Sequence, residues 1–246
     1  MSLIDPTGRI LTEIDVTLDP KTRDVIAVSP RNVLVDRTDP LIVADIAAHP
    51  EVKSVVDAYR TAVSPLANAM IGTITAPMSN AANAAGAREA GDLIADAQLQ
   101  ATQPANLGGA VMAFMNAGGV RNPGFTQGSA YPYDLTYGNA FQVQPFGNSL
   151  VTMTLPAQQI KNLLEQQFAG CNGQVAQRIM QISNGLAYSW SATAAPCGKI
   201  VDVSFTPKDL TVNPPVATAA PEQIVLGGVV QNPGKTYRVT VNNFMA

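Results

Sequence analysis

The spacing of apolar residues changes character along this chain, and that change restricts the folds open to it. From residue 8 to residue 36 apolar and polar positions alternate: Ile10, Ile14, Val16 and Leu18 precede a polar turn, Asp19 to Asp24, and Val25 to Val28 and Val33 to Val35 follow it. A period of two is the mark of half-buried strands, so this stretch predicts a hairpin and a following strand. At Asp39-Pro40 the spacing becomes helical, with Ile42, Ile46, Val52, Val55, Val56 and Tyr59 recurring at three and four residues. Pro50 has no N–H to give and must break or kink this helix after His49, and Pro65 is expected to close it.

Beyond Pro65, short strands and helices mix without strict βαβ alternation, which predicts the α+β class with a mixed β-sheet packed with helices. Ile71 to Thr75 reads as a strand, Ala76 to Gly86 as a loop of small residues, and Glu89 to Gln100 as a helix burying Leu93, Ile94, Ala97 and Leu99. Val111 to Met115 is a continuous apolar run, suited to a strand covered on both faces. Asn122 to Tyr133 reads as a surface loop, Thr136 as the cap of a short helix, and Pro156 as the first turn of a helix running to Phe168. The last third is β-rich, with strands expected at Ile179 to Tyr188, Ile200 to Phe205, Ile224 to Val230 and Tyr237 to Val241, and a loop from Lys208 to Pro221.

Composition excludes some functions. With 46% hydrophobic residues in 246, the chain has material for one large core or two modest ones. Its formal charge is -3 and no window gathers basic residues into a stripe, so no nucleic acid partner is expected. The longest apolar run, Leu41 to Ala48, is interrupted by Asp45 and falls short of the roughly 20 residues that cross a bilayer, so no membrane span is expected. Met1-Ser2-Leu3 opens without a basic or apolar leader and reads as the start of an excised segment. Cys171 and Cys197 bracket one polar, glycine-containing excursion and are each other's only candidate partner, which favours a disulfide; two free thiols are the alternative.

A dinuclear metal centre needs several imidazoles and carboxylates, and this chain has one histidine, His49, which reads as surface. No Gly-x-Ser-x-Gly elbow or phosphate-binding loop of the Walker type is present. The positive signals are two. Asn116-Ala117-Gly118-Gly119-Val120-Arg121 follows the buried run, bringing glycine amides and a planar set of charged donors to one loop; the alternative is plain turn chemistry. In Gln144-Pro145-Phe146-Gly147-Asn148, Pro145 stiffens the approach and Gly147 lets a planar group near the Phe146 ring, the alternative being a core phenylalanine beside a turn.

Taken in order, Gly91-Asp92-Leu93-Ile94-Ala95-Asp96-Ala97, Met115 to Arg121, Thr136 to Phe141 with Gln144 to Asn148, and Lys235 to Phe244 resemble the carboxy-terminal domain of the 5′-nucleotidase family. The resemblance covers about residues 66 to 246. It implies that residues 1–45 are remnant strands of an amino-terminal metallophosphoesterase domain, 46–65 an interdomain helical linker, and 66–246 the substrate-binding domain, truncated at its carboxy-terminal end. It implies a nucleoside or nucleotide ligand whose base is sandwiched between Phe146 and Phe244, with Asn116 on the base edge and Arg121 facing ribose and phosphate. Gly118, Gly119, Gly147 and Asn148 complete the implied site. The two divalent metal ions and the catalytic residues would lie in the missing amino-terminal domain, acting in cis, so this fragment is expected to be inactive and to hold no cofactor.

The resemblance further implies a secreted, periplasmic or cell-wall protein that hydrolyses phosphomonoesters or nucleotide sugars. The family pattern continues past the second aromatic into a Gly-Gly-Asp turn that holds the ribose hydroxyls, whereas this sequence ends at Ala246. Some relatives carry arginines shortly before the Gly91 helix; Arg88 does not align with them and reads as solvated. The alternative function is a stand-alone extracellular nucleotide-binding or adhesive module without hydrolase activity.

Overall fold

The structure, a computed structural model, describes residues 9–246; the opening Met1-Ser2-Leu3 segment lies outside the described residues. The chain divides into two compact units, the first ending at Pro65 and the second spanning Leu66–Ala246.

In the first unit β1 (Ile10–Leu18) pairs antiparallel with β2 (Val25–Leu34). The turn between them is fixed by Asp19, whose Oδ1 accepts the N–H groups of Lys21 at 2.7 Å and Thr22 at 3.0 Å. Val25 to Leu34 is one strand rather than the two pieces its alternation predicts. Pro30 sits within it opposite Ile14, and a two-stranded ribbon leaves each strand an outer edge where a missing N–H costs nothing. Asp39 caps α1 (Pro40–Ala48), accepting the Leu41 N–H at 2.9 Å, and α2 (Pro50–Ala67) follows after the expected break at His49. The helical segment thus starts earlier and ends later than residues 46–65. Pro65 does not close α2: it lies in the last turn, where it removes a single helical bond, and the helix continues to Ala67.

The second unit opens with β3 (Met70–Ile74), β4 (Met78–Ser79) and α3 (Glu89–Thr102). The buried face of α3 is Gly91, Ile94, Ala95, Gln98, Leu99 and Thr102, so Ala97 points to solvent, contrary to its expected place in the stripe. Two contacts set this rotation. Gly91 lies so close to Gln181 that a Cβ there would fall 2.3 Å from Cγ of that side chain, and Gln98 turns inward to donate to Met115 Sδ at 3.1 Å.

β5 (Met112–Met115) is buried at every position, as its unbroken apolar run requires. Next come β6 (Gly124–Phe125), which pairs with β4, and β7 (Tyr133–Thr136), which pairs with β3. The stretch from Asn122 to Tyr133 is therefore not simply a surface loop, since Gly124 and Phe125 are buried. Gly124 has φ +86, and a Cβ on it would meet the Met78 carbonyl oxygen at 2.6 Å, so only glycine lets β6 approach β4. α4 (Tyr137–Val143) begins with a reciprocal cap: Thr136 Oγ1 accepts the Asn139 N–H and Asn139 Oδ1 accepts the Thr136 N–H.

β8 (Leu150–Pro156) leads into α5 (Ala157–Glu165), which stops short of Phe168. β9 (Gln181–Ile182) and β10 (Leu186–Trp190) replace the single strand expected from Ile179 to Tyr188, because the chain turns at Gly185 with φ +94. β11 (Ile200–Phe205) has the expected bounds; β12 (Lys208–Asp209) and β13 (Val216–Ala217) form a minimal pair inside the expected loop. β14 (Glu222–Leu226) and β15 (Val229–Val230) fold back at Gly227-Gly228, so Ile224 to Val230 is a hairpin rather than one strand. β16 (Thr236–Asn242) completes the order.

Two four-stranded sheets organise the unit, β8-β16-β5-β9 and β10-β11-β14-β15. The first is mixed, since β16 runs parallel to β5 and antiparallel to β8, while β5 runs antiparallel to β9. Residues of both sheets and of α5 share one core that includes Met112, Phe114, Ile160, Leu164, Ile200 and Val239. Each large side chain so buried contributes roughly 1.5–3 kcal/mol. Glu165, 3% exposed, accepts the N–H groups of Lys199 at 2.9 Å and Ile200 at 3.0 Å and so fastens α5 to β11. Cys171 and Cys197 form the disulfide, spanning 26 residues of sequence. The architecture is α+β with a mixed sheet, as the sequence predicts.

Candidate functional site

The site is built on the ends of β5, α4 and β16. β5 stops at Met115, and Ala117–Gly119 makes a 3-10 turn in which Gly119 N–H donates to the Asn116 carbonyl at 3.0 Å. Gly119 is buried, and a Cβ on it would lie 2.4 Å from Met115 Cε and 3.0 Å from Asn116 Oδ1; Gly118 is exposed and has room for one. Gly119 is thus required by packing, and its amide is already used within the turn. Arg121 N–H donates to the Val143 carbonyl at 2.7 Å, which ties the glycine turn to the end of α4. From there Gln144 and Pro145 lead to Phe146, and the Arg121 guanidinium carbon stands 4.9 Å from the centroid of its ring, a cation–π contact.

The third element arrives through Asn242, the last residue of β16, only 3% exposed. Its Nδ2 donates to Asn116 Oδ1 at 2.9 Å and to Met115 Sδ at 3.3 Å, while its Oδ1 accepts the N–H groups of Phe244 at 3.1 Å and Met245 at 3.2 Å. One side chain therefore fixes both the orientation of Asn116 and the path of the chain to Phe244. Phe146 and Phe244 are 41% and 78% exposed, so each residue has accessible surface to offer a ligand.

These elements border a cleft of about 920 Å³. Of the residues singled out in the sequence, Asn116, Gly118, Gly119, Arg121, Phe146, Asn148 and Phe244 line it. Gly147 does not; a Cβ there would meet nothing within 4 Å. Gln144 and Asn242, which lie in the segments singled out, and Arg88, Gln167, Arg178 and Met245, which were not foreseen, also line the cleft. Arg88 corrects an expectation: it is half-buried, with Nη1 donating to the Asn80 carbonyl at 2.5 Å and its N–H to Gln181 Oε1 at 2.6 Å. An Asn-Asn pair between a strand and an aromatic was a usable signal for Asn242, because a short amide side chain bonds readily to backbone two residues on. Residues 166–180 carried no such signal beyond the cysteine bracket.

Three arginines and no Asp, Glu or Lys line the cleft, although acidic residues outnumber basic ones in the chain, 18 to 15. Such a lining suits an anionic ligand, and the accessible aromatic residues suit a planar one. The donor set does not fit a metal: among the described residues no three His, Cys, Asp or Glu side chains cluster to hold one. His49 is exposed in the first unit, its Nδ1 2.9 Å from Glu51 Oε1. No helix among the described residues is long and apolar enough to cross a membrane.

Asp92 and Asp96, one turn apart on α3, accept the N–H groups of Ile182 at 3.2 Å and Asn184 at 2.5 Å, and so hold β9 and its turn against the helix. Burial pushes the Asp92 carboxyl up to about 6, against the Ile182 hydrogen bond and with the help of the nearby Asp96 and Glu89 charges; burial also raises Asp96.

The chain is similar to Endonuclease YhcR of Bacillus subtilis (strain 168), 25% identical over 239 residues, which is 97% of this chain and 16% of that protein. It is similar to the Trifunctional nucleotide phosphoesterase protein YfkN of the same organism, 27% identical over 241 residues, 97% of this chain and 14% of that one. The chain thus spans about a sixth or less of the length of these curated relatives. In fold it resembles the crystal structure of a 5′-nucleotidase precursor from Thermus thermophilus, with a TM-score of 0.57 and 24% identity over 97% of this chain and 41% of that one. The family model described as 5′-nucleotidase, C-terminal domain, matches residues 70–246, almost the whole of the second unit. The chain belongs to the 5′-nucleotidase C-terminal domain family.

Proposed function

We propose that this chain is the nucleotide-recognising part of a secreted, metal-dependent phosphoric ester hydrolase of the 5′-nucleotidase type, and that by itself it binds but does not turn over. The base stacks between Phe146 and Phe244, Asn116 hydrogen-bonds its edge, and Arg121 meets the ribose and phosphate side. Gly118, Gly119 and Asn148 shape the wall between them. The reaction belongs to two divalent metal ions in an amino-terminal domain of the parent protein, for which β1 and β2 supply closing strands. No step of that reaction is assigned to residues of this chain.

The observation that carries this reading is convergence: seven residues from separate segments, Asn116 to Arg121, Phe146 to Asn148 and Phe244, border one cleft. Family membership supports the ligand class, and the disulfide suits an oxidising compartment. Stacking accepts any base, since every base has a π-face, so affinity should vary little between purines and pyrimidines. Calorimetric titration of the purified chain with adenosine monophosphate tests the reading. Binding is expected, and Phe146→Ala should weaken it about 5- to 150-fold, the equivalent of about 1 to 3 kcal/mol of stacking. Indifference to Phe146→Ala would refute the sandwich. Release of phosphate from adenosine monophosphate and manganese by uncontaminated chain would refute the inactive-fragment reading.

A further inference from the structure

The cleft extends beyond the residues that the nucleoside needs. Part of its wall comes from residues 166–180, with Gln174, Gln177 and Arg178 facing it together with Ile179 and Met180. This wall is preorganised. Gln167, 3% exposed, receives the Arg178 N–H on its carbonyl at 2.8 Å and the Met180 N–H on Oε1 at 2.9 Å. Gln174 closes the loop from the other side: its carbonyl accepts the Gly170 N–H at 2.8 Å and its Nε2 donates to the Gln166 carbonyl at 3.2 Å. The Cys171–Cys197 disulfide anchors the same excursion. A ligand meeting it has little loop entropy left to remove.

The three arginines of the cleft are not equivalent. Arg88 is engaged by the Asn80 carbonyl and Arg121 lies over the Phe146 ring. Arg178 backbone is fixed, yet among the described residues its guanidinium has no hydrogen bond, ion pair or ring contact of its own, and no carboxylate lines the cleft to neutralise it. Five unpaired donors on a rigid wall of a concave site form a receptor for phosphate oxygens. The volume of about 920 Å³ lies near the upper end of the ~300–1,000 Å³ range of small-molecule sites, which leaves room past a mononucleotide.

We propose that Arg178, flanked by Gln174 and Gln177, is a second anion subsite that takes the second phosphate of a nucleotide bearing a pyrophosphate. The inference rests on the nucleoside reading above: Phe146 and Phe244 hold the base, Arg121 serves the first phosphate, and Arg178 the next. The favoured ligands are therefore nucleoside diphosphates and pyrophosphate-linked nucleotides rather than monophosphates.

The test is calorimetric titration of the disulfide-intact chain with adenosine monophosphate and adenosine diphosphate, at low salt and with a chelator present. The wild type should bind the diphosphate more tightly. Arg178→Gln should weaken the diphosphate about tenfold or more, the usual range for a hydrogen bond to a charged group, and leave the monophosphate within about twofold. Arg178→Lys should recover part of the diphosphate preference because it restores the charge. Unchanged melting temperatures for both variants are expected, since the side chain bonds nothing within the protein. Equal weakening of both ligands would mean one shared anion site, and no preference for the diphosphate in the wild type would mean no second subsite; either overturns the proposal. If Phe146→Ala leaves monophosphate binding intact, or the monophosphate does not bind, the nucleoside reading itself fails, and that outcome is separate from a silent Arg178.

Discussion

Replacing Asn242 with alanine should damage the site more than its place on a strand end suggests. The substitution removes two donated bonds, to Asn116 Oδ1 and Met115 Sδ, and two accepted ones, from the Phe244 and Met245 N–H groups. Not all of these are lost outright. Met245 N–H keeps the Asn242 carbonyl at 3.0 Å, and Met115 Sδ keeps the Gln98 amide. What remains is roughly two bonds of about 1 kcal/mol each plus a small void, so about 2–3 kcal/mol of stability. In a domain of this size that lowers the melting temperature by roughly 4–12 °C. Binding should suffer separately, because Asn116 loses the partner that orients it and Phe244 loses the tether that sets its approach. Calorimetric titration of the folded variant, well below its melting temperature, should give an adenosine monophosphate affinity about tenfold weaker, one hydrogen-bond equivalent. A variant with the lowered melting temperature but wild-type affinity would refute the coupling and leave Asn242 as a stability residue only.

Two further perturbations follow from the same geometry. With the Asp92 carboxyl at about 6 in the folded chain and near 3.9 when unfolded, the folded state holds the extra proton between those values. Stability should therefore rise as pH falls from 7.5 to 5, by about 1–2 kcal/mol once solvent access to this half-buried group is allowed for. Asp92→Asn, which keeps an acceptor for the Ile182 N–H, should raise the melting temperature at pH 7.5 and flatten its pH dependence; a wild type less stable at pH 5 than at 7.5 contradicts the sign. Removing the disulfide with Cys171→Ser and Cys197→Ser should cost about 3.5 kcal/mol for a 26-residue separation, read as a lower denaturation midpoint, and no change would mean that the bridge does not form.

Much of the fold was legible because local rules and tertiary structure agree there. Thr136 caps its helix, Pro50 breaks one, Met112 to Met115 of the apolar run lies buried in the sheet, and β11 has its expected ends. The misses arose where long-range contacts override local preference. Ala97 faces out because Gly91 must meet Gln181 and Gln98 must reach Met115, neither of which is visible in the spacing of α3 alone. The stretch from Asn122 to Tyr133 hides a buried pair at Gly124 and Phe125, because a strand of two residues carries no period. At the site, the glycine turn and the two aromatics were readable from the family pattern. Arg88 and the wall at residues 166–180 were not, since they reach the cleft through partners some ten to ninety residues away, such as Asn80, Gln167 and Gln181.

The central claim is that a base lies between the two phenyl rings, and a crystal structure of the chain soaked with adenosine monophosphate tests it most directly. The expected result is adenine between Phe146 and Phe244, with Asn116 on its edge and the Arg121 guanidinium on the ribose and phosphate side. A nucleotide bound outside this cleft, or within it with both rings turned away from the base, would contradict it.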